Sequence, residues 1–336
     1  MSRYLITGGL GFIGAALGKS LTAAGHQVRI IDNLSGGQRD CAMPDCELLV
    51  ADVGDRQLVR EAMAGVDGCF HLATSSESAT QQEDDICCNN LPGMINVLSA
   101  ARDAGAPRQP VPVVYASSSI TYGDNAHISL HEDLAARPLT SAAADKAAIE
   151  MRASVAALAH GIPTTGLRLF SVYGPAPHPQ ARSSGVVASF LDSILAGRGI
   201  TIYGDGHQTR DFVYLADAVR FFITAMALPP EQPSIYNVCT GRQTSIRQLA
   251  DMLCSLCGKA VEITRAPARR GDIRTSVGNP EQAIRRLGLR ASTTLADGLA
   301  HILAHHPAGH ALAWPTTAST DALTQAVLGN TAAVSS

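Results

Sequence analysis

The sequence predicts an α/β fold, a doubly wound parallel sheet with a smaller C-terminal α/β lobe, on three observations. Short apolar runs alternate with helical patterns through the first half of the chain. A glycine-rich turn joins the first run to the first helix, and the texture changes after Gly174, where Pro175, Pro177 and Pro179 cluster. Apolar runs without polar alternation suit strands covered on both faces, as in parallel sheets. Their regular alternation with helices implies right-handed crossovers. The bulk numbers agree: 336 residues, 46% hydrophobic and 16% charged, suffice for a sizeable core and exclude a disordered chain. A net charge of −3 shows no basic excess, which argues against nucleic acid or a membrane surface as partner. No apolar run approaches a membrane span, and Met1-Ser2-Arg3-Tyr4 leads directly into a strand without room for a signal peptide. A cytoplasmic protein is expected.

In order, residues 4–7 read as a strand, 12–24 as a helix closed by Gly25, and 27–32 as the second strand. Residues 46–50, 68–72 and 111–116 are further apolar strands, with helices over 84–103 and 142–159. Residues 1–174 thus form a first domain, to which about 211–240 returns. The lobe over 175–306 combines helices at 185–196, 215–227 and 246–257 with short strands at 201–203, 211–214 and 235–238. From 307 to 336 the chain is rich in Ala, Thr and Ser, and a flexible tail is expected. Cys254 and Cys257 have metal-like spacing but no second pair of ligands, so they read as small core residues one helical turn apart. The eleven histidines are scattered, with no pairing to open carboxylates, and His305 and His306 read as surface; no metal is expected.

The turn Thr7-Gly8-Gly9-Leu10-Gly11-Phe12-Ile13-Gly14 has strand before it and helix after it, the context of a Rossmann-type dinucleotide site. Gly8 permits the tight turn, Gly11 lets backbone approach a pyrophosphate, and Gly14 allows close helix–strand packing. The first amides of the helix, at Phe12 and Ile13, offer a positive end to phosphate. Asp32 ends the next strand, where a carboxylate accepts both ribose hydroxyls and repels a 2′-phosphate. No arginine follows in Asn33-Leu34-Ser35, so the cofactor read from these residues is NAD.

Thr-Gly-Gly-x-Gly-Phe-Ile-Gly with Asp32-Asn33-Leu34 resembles the extended short-chain dehydrogenase/reductases, in their nucleotide-sugar epimerase/dehydratase branch. The resemblance continues through Phe70-His71-Leu72-Ala73, residues 115–123, 168–175 and 203–214, and Arg269-Arg270-Gly271-Asp272, and so spans roughly residues 3–303. It implies that Asp52 and Val53 flank the adenine, with Asn33 and Ser35 also on the cofactor. Leu72, Ala73 and Thr74 would pass under the pyrophosphate and nicotinamide ribose, with Asn90 beside them and Phe170 bordering the nicotinamide. Ser118 matches the serine that binds the reacting sugar hydroxyl, and Lys146 the lysine that holds the ribose and lowers a tyrosine's pKa. Arg210 and Arg269 match a diphosphate clamp, which suits guanidinium forks. Asp272 would take the uridine ribose, and Ser171, Val187, Thr201, Tyr203, Ile246 and Ser276 would complete the nucleotide-sugar pocket.

The chain departs from the family at the tyrosine of Tyr-x-x-x-Lys, where it has Ala142. Alanine has no proton to exchange, so the family's general base is missing. Tyr122, which would have to reorient, and His131 and Asp145, on spacing alone, are the candidate replacements. Two explanations stand: a tyrosine replaced to trap substrate, or a natural chain whose chemistry has moved or been lost. The intact surroundings favour the first; Ser141, where proline is common, favours the second.

The resemblance implies a UDP-sugar 4-epimerase acting by transient C4 oxidation and re-reduction, with NAD resident. Ser117-Ser118-Ser119 stands where dehydratases carry an acid pair, which argues against dehydration. A UDP-glucuronate 4-epimerase or decarboxylase, or a non-catalytic NAD and UDP-sugar binder, is the alternative. Ser184-Gly185-Val186-Val187 and Asp211 favour the epimerase, whereas Arg182 could meet a carboxylate. Ser276, small where some galactose epimerases are bulky, should admit a 2-N-acetyl group. The alanine-rich helices 84–103 and 142–159 resemble those that pair as a four-helix bundle, so a homodimer is expected.

Overall fold

The computed structural model describes residues 1–74, 90–105, 109–125, 129–175, 185–269 and 271–305. Its main body contains β1 (Arg3–Thr7), α1 (Phe12–Ala23), β2 (Gln27–Asp32), β3 (Glu47–Val50), α2 (Arg56–Met63), β4 (Gly68–His71), α3 (Asn90–Ala104), β5 (Val113–Ser118), α4 (Ser141–His160) and β6 (Thr164–Leu169). The chain continues through β7 (Ser171–Tyr173), α5 (Val186–Leu195), β8 (Ile200–Tyr203), β9 (Thr209–Arg210), β10 (Phe212–Tyr214) and α6 (Leu215–Ala227). It closes with β11 (Ser234–Val238), β12 (Thr244–Ser245), α7 (Ile246–Cys257), β13 (Ile263–Ala266), β14 (Thr275–Ser276), α8 (Glu281–Leu287) and α9 (Leu295–His305).

Seven strands form one parallel sheet in the order β11-β6-β5-β4-β1-β2-β3. The pleat sends neighbouring side chains to opposite faces, and the core divides accordingly. Ile6, Ile30, Phe70 and Val114 meet α1 and α6 through Leu17, Leu21, Phe221 and Phe222. Leu5, Ile31, Cys69 and Val113 meet the helices of the other face through Val59, Met94, Val97, Ile149 and Ala153. With both faces covered, the strands have no polar side to show, which is why they read as apolar runs. The order reverses at β1, whose neighbours are β2 and β4; the crevice beyond the strand ends at such a switch point is where doubly wound sheets bind ligands.

Later in the chain, β11 joins the edge of this sheet beside β6. A third cluster, with Phe190, Ile194, Ile202, Leu249, Leu253 and Leu299, unites α5, α7, α9 and the short strands. α7 opens with a capping box between Ser245 and Gln248, and both it and α4 end on a left-handed glycine, Gly258 and Gly161. Three elements have weak patterns in the sequence. α2 is only eight residues long, with Arg56, Gln57, Arg60 and Glu61 exposed; β6 is interrupted by Gly166 and Arg168; and α8 has seven residues. The helix expected from residue 84 is described from Asn90, and residues 84–89, Arg182, Ser184 and the 307–336 tail lie outside the described residues. Among the described residues no helix is long and apolar enough to cross a membrane.

Candidate active site

The glycine turn has the geometry its spacing suggests. Gly8 sits at φ +67°, and a Cβ there would fall 2.7 Å from the Ala73 amide nitrogen, so the turn closes directly on the end of β4. At Gly14 a Cβ would overlap the Gly8 carbonyl oxygen, which lets α1 start flush against the turn. α1 has no side-chain cap hydrogen bond at Gly11 and no acid in its first turn, so Phe12 and Ile13 stand at an uncompensated positive helix end.

Asp32 fixes the far lip. It is 6% exposed, and its two oxygens accept the Leu10 and Leu34 amides, each at 2.9 Å. Leu34 is held at φ +62° in doing so, alone among the described non-glycine residues. Each carboxylate oxygen keeps a lone pair for a ribose hydroxyl. Asn33 donates to Asp52 at 2.8 Å and accepts from the Ser35 amide and hydroxyl, while Asp52 also accepts the Gly54 amide. Val53 packs against Gly93, and its carbonyl takes a hydrogen bond from Asn96. The adenine-side residues therefore gather at the ends of β2 and β3.

On the other side of the switch point, Thr7 gathers the end of β4. Its carbonyl accepts the Leu72 amide, and its hydroxyl oxygen accepts the Ala73 amide and meets His71 Nδ1 at 2.7 Å. Thr74 donates to Asn90 at 3.4 Å, and Asn90 donates to Asp145 of α4 at 3.0 Å. The cradle, the helix end and the placed carboxylate fit a dinucleotide with an unphosphorylated 2′-hydroxyl.

The residues expected to face the reacting sugar lie on β5 and α4. Ser118 ends β5, and its oxygen accepts the Ile120 amide at 3.3 Å, which leaves its proton to be donated elsewhere. Lys146 donates to the Ala116 carbonyl at 2.9 Å; burial draws its pKa down to about 8, against Asp145 and Glu150, which raise it. Ala142 stands one turn before Lys146 in the first turn of α4, which Thr140 caps by accepting the Ala143 amide. One turn further on, Glu150 accepts Ser117 Oγ at 2.5 Å and a two-pronged bond from Arg168 at 2.9 and 2.7 Å. Arg168 in turn lies over the Tyr122 ring, 4.6 Å from its centre.

Each of the three candidate replacements has a partner of its own. Tyr122 is fully buried and donates its hydroxyl to Asn237 at 2.7 Å, and burial pushes it up to about 12. His131 lies 3.9 Å from Asp133 with nearly half its side chain exposed. Asp145 receives Asn90. Phe170 is buried against Tyr122 with ring centres 6.4 Å apart, and the Ser171 amide donates to the Asp211 carbonyl.

The outer residues fall into two groups. Arg210 donates to Asp272 at 2.6 Å and to the Ile273 carbonyl at 2.7 Å. Ser276 pairs with Arg210 in the β14–β9 ladder, and its hydroxyl lies 3.4 Å from that of Ser119. Arg269 stacks over Tyr203 at 4.0 Å. Tyr203 and Thr201 occupy the exposed face of β8, Thr201 meeting Thr264 at 3.1 Å, while Ile200 and Ile202 turn inward. Val187 and Ile246 lie inside the third cluster, beneath the surface rather than on it.

The structure adds residues that the sequence reading passed over. Among the described residues, His71 Nε2, Gln208 Oε1 and Thr209 Oγ1 are the buried side-chain polar atoms without a partner. All lie inside motifs read for their neighbours, 70–73 and 203–214. Asp211, which in the sequence spoke against the decarboxylase pattern, is fully buried and accepts from Thr240, Gly241 and Gly278. Its part is structural.

Residues 4–239 match the NAD dependent epimerase/dehydratase family. A UDP-glucose 4-epimerase of Mycolicibacterium smegmatis is 33% identical over 308 residues, covering 89% of this chain and 96% of that protein. The structure of a Thermotoga maritima UDP-glucose 4-epimerase with UDP-glucose superposes at a TM-score of 0.83 with 29% identity, covering 89% and 97% of the two chains. A Thermus thermophilus UDP-glucose 4-epimerase complex with NAD gives a TM-score of 0.80 at 31% identity, over 90% and 98%. With the glycine cradle and Asp32 in place for NAD, the chain belongs to the NAD-dependent epimerase/dehydratase family.

Proposed function

We propose that this chain is a UDP-sugar 4-epimerase in architecture that lacks the proton acceptor of the reaction. The observation that carries the reading is that Lys146 of α4, one turn after Ala142, reaches across to the Ala116 carbonyl of β5, the strand that ends on Ser118. Bound NAD would supply the hydride acceptor at C4 of the sugar. Ser118 donates a hydrogen bond to the C4 oxygen. Lys146, cationic below about pH 8, holds the nicotinamide ribose and would stabilise a phenolate one turn away. Arg210 and Arg269 clamp the diphosphate, with Asp272 on the uridine ribose, so Arg210 would exchange part of its Asp272 contact for phosphate. Ser276, beside Ser119, is small and polar, which supports a substrate with a 2-N-acetyl group.

A second reading, a protein that binds NAD and a UDP-sugar without turning it over, is favoured by one observation. Tyr122, the nearest candidate for a substitute, is locked to Asn237. The chain as it stands is expected to bind UDP-glucose when loaded with NAD and to produce no UDP-galactose. Arg269→Ala should weaken that binding by roughly tenfold or more, the worth of a charge-assisted contact. Titration calorimetry and product chromatography test this: turnover at an ordinary epimerase rate sinks the missing-base reading, and failure to bind any UDP-sugar sinks the site.

We further propose a homodimer through α3 and α4. Met151, Val155 and Leu158 on α4 are 65%, 55% and 68% exposed at helical spacing, beside a groove formed with Ile95 and Leu98 of α3. A second copy presenting the same stripe covers it by twofold symmetry.

A further inference from the structure

The last helix carries a pair of side chains that the cofactor and sugar site does not use. His301 and His305 lie one turn apart on α9, with ring centres 4.2 Å apart and planes inclined by 35°. His305 Nδ1 is 2.8 Å from the His301 carbonyl oxygen. A carbonyl only accepts, so that nitrogen carries the proton and His305 Nε2 keeps its lone pair. His301 Nδ1 is 2.6 Å from Tyr214 Oη, with the tyrosine ring edge-on to the imidazole at 5.8 Å. A phenol oxygen can accept from Nδ1–H, which leaves His301 Nε2 a lone pair as well.

The geometry points to a two-histidine site for a borderline divalent transition-metal ion, of the copper, nickel or zinc class, with water in the remaining positions. Three features carry it. Imidazoles one helical turn apart can occupy adjacent coordination positions on one ion. Each ring has its other nitrogen against an oxygen, the arrangement that fixes tautomer and orientation in metal-bound histidines. The helix is seated firmly, because Leu299, Ile302 and Leu303 anchor it in the third cluster, while the His305 end stays open to solvent. Among the described residues no group of three ligands forms, so the ion would keep solvent and exchange freely.

The test uses the full-length chain without an affinity tag. Copper(II) electron paramagnetic resonance at pH 7.5 should show nitrogen coupling from two imidazoles. Equilibrium dialysis with nickel(II) should give about one bound equivalent. His301→Ala and His305→Ala should each weaken binding by about tenfold or more, with NAD binding retained as evidence of folding. Replacing His306 and His310 together should leave the affinity as it was. The proposal is overturned if both single variants bind as tightly as the parent, or if the His306/His310 replacement alone abolishes binding.

Discussion

Replacing Glu150 by Gln tests the framework behind the reacting face. The Glu150–Arg168 pair is among the least exposed ion pairs described, with side chains 7% and 6% accessible, and it is joined by two hydrogen bonds. Gln keeps the shape and one acceptor but leaves the Arg168 guanidinium buried without its counter-charge. Breaking a buried pair on one side costs about 3–5 kcal/mol, far more than the loss of a surface bridge. In a chain of this size that lowers the melting temperature by roughly 6–10 °C. A second effect runs through Lys146, one turn away. Glu150 raises the Lys146 pKa, so its removal should let burial draw the amine below about 8. NAD affinity should then fall off at a lower pH than in the parent. Differential scanning calorimetry and NAD titration across pH 6.5–9 read both effects. The paired variant Glu150→Leu/Arg168→Leu should melt higher than Glu150→Gln, because it buries no unpaired charge. A Glu150→Gln protein that melts like the parent, or a double variant less stable than the single, refutes the reasoning.

Three further outcomes follow from the same coordinates. Gly14→Ala presses a methyl into the Gly8 carbonyl, so NAD fluorescence titration should show binding lost by tenfold or more, whereas Gly25→Ala, at φ +80° but with open space around it, should cost some stability and leave NAD binding in place. Lys146 has a folded pKa lowered from 10.5 to about 8, so the unfolded chain binds the extra proton and this group makes stability rise with pH across that window; Lys146→Met should flatten the rise in denaturant melts. If the proposed dimer forms through the exposed α4 stripe, light scattering should show a dimer for the parent and a monomer for Met151→Glu with Leu158→Glu, which places charge on that stripe.

The sequence made the cofactor half easy to read because its chemistry is local. Gly8, Gly14 and Asp32 lie within one βα unit and the next strand, and spacing alone carries their geometry. The partnership of Arg210 with Asp272, 62 residues apart, depends on the β14–β9 ladder, two residues long on each side, which leaves no periodicity to detect. Val187 and Ile246 read naturally as pocket residues, yet both sit beneath the surface in the third cluster; pattern marks a helix face without saying what covers it. The orphaned His71 Nε2 has no sequence signal beyond its motif, because burial on both faces of β4 arises only when the sheet closes. His301 and His305 appear in the sequence as two of eleven scattered histidines. Only the Tyr214 and carbonyl contacts reveal which nitrogens are left over.

The most direct measurement is C4 epimerisation by Ala142→Tyr. The side chain enters the first turn of α4, one turn before Lys146, where the proposed function needs a phenol to take the C4 hydroxyl proton. Restoring a positioned proton acceptor should raise the rate by about 10²–10⁴-fold over the parent, measured as interconversion of UDP-glucose and UDP-galactose, or of their 2-N-acetyl forms, by chromatography. The parent should remain near background with the same sugars. A tyrosine variant that folds, binds NAD and a UDP-sugar, and still leaves C4 unchanged contradicts the account.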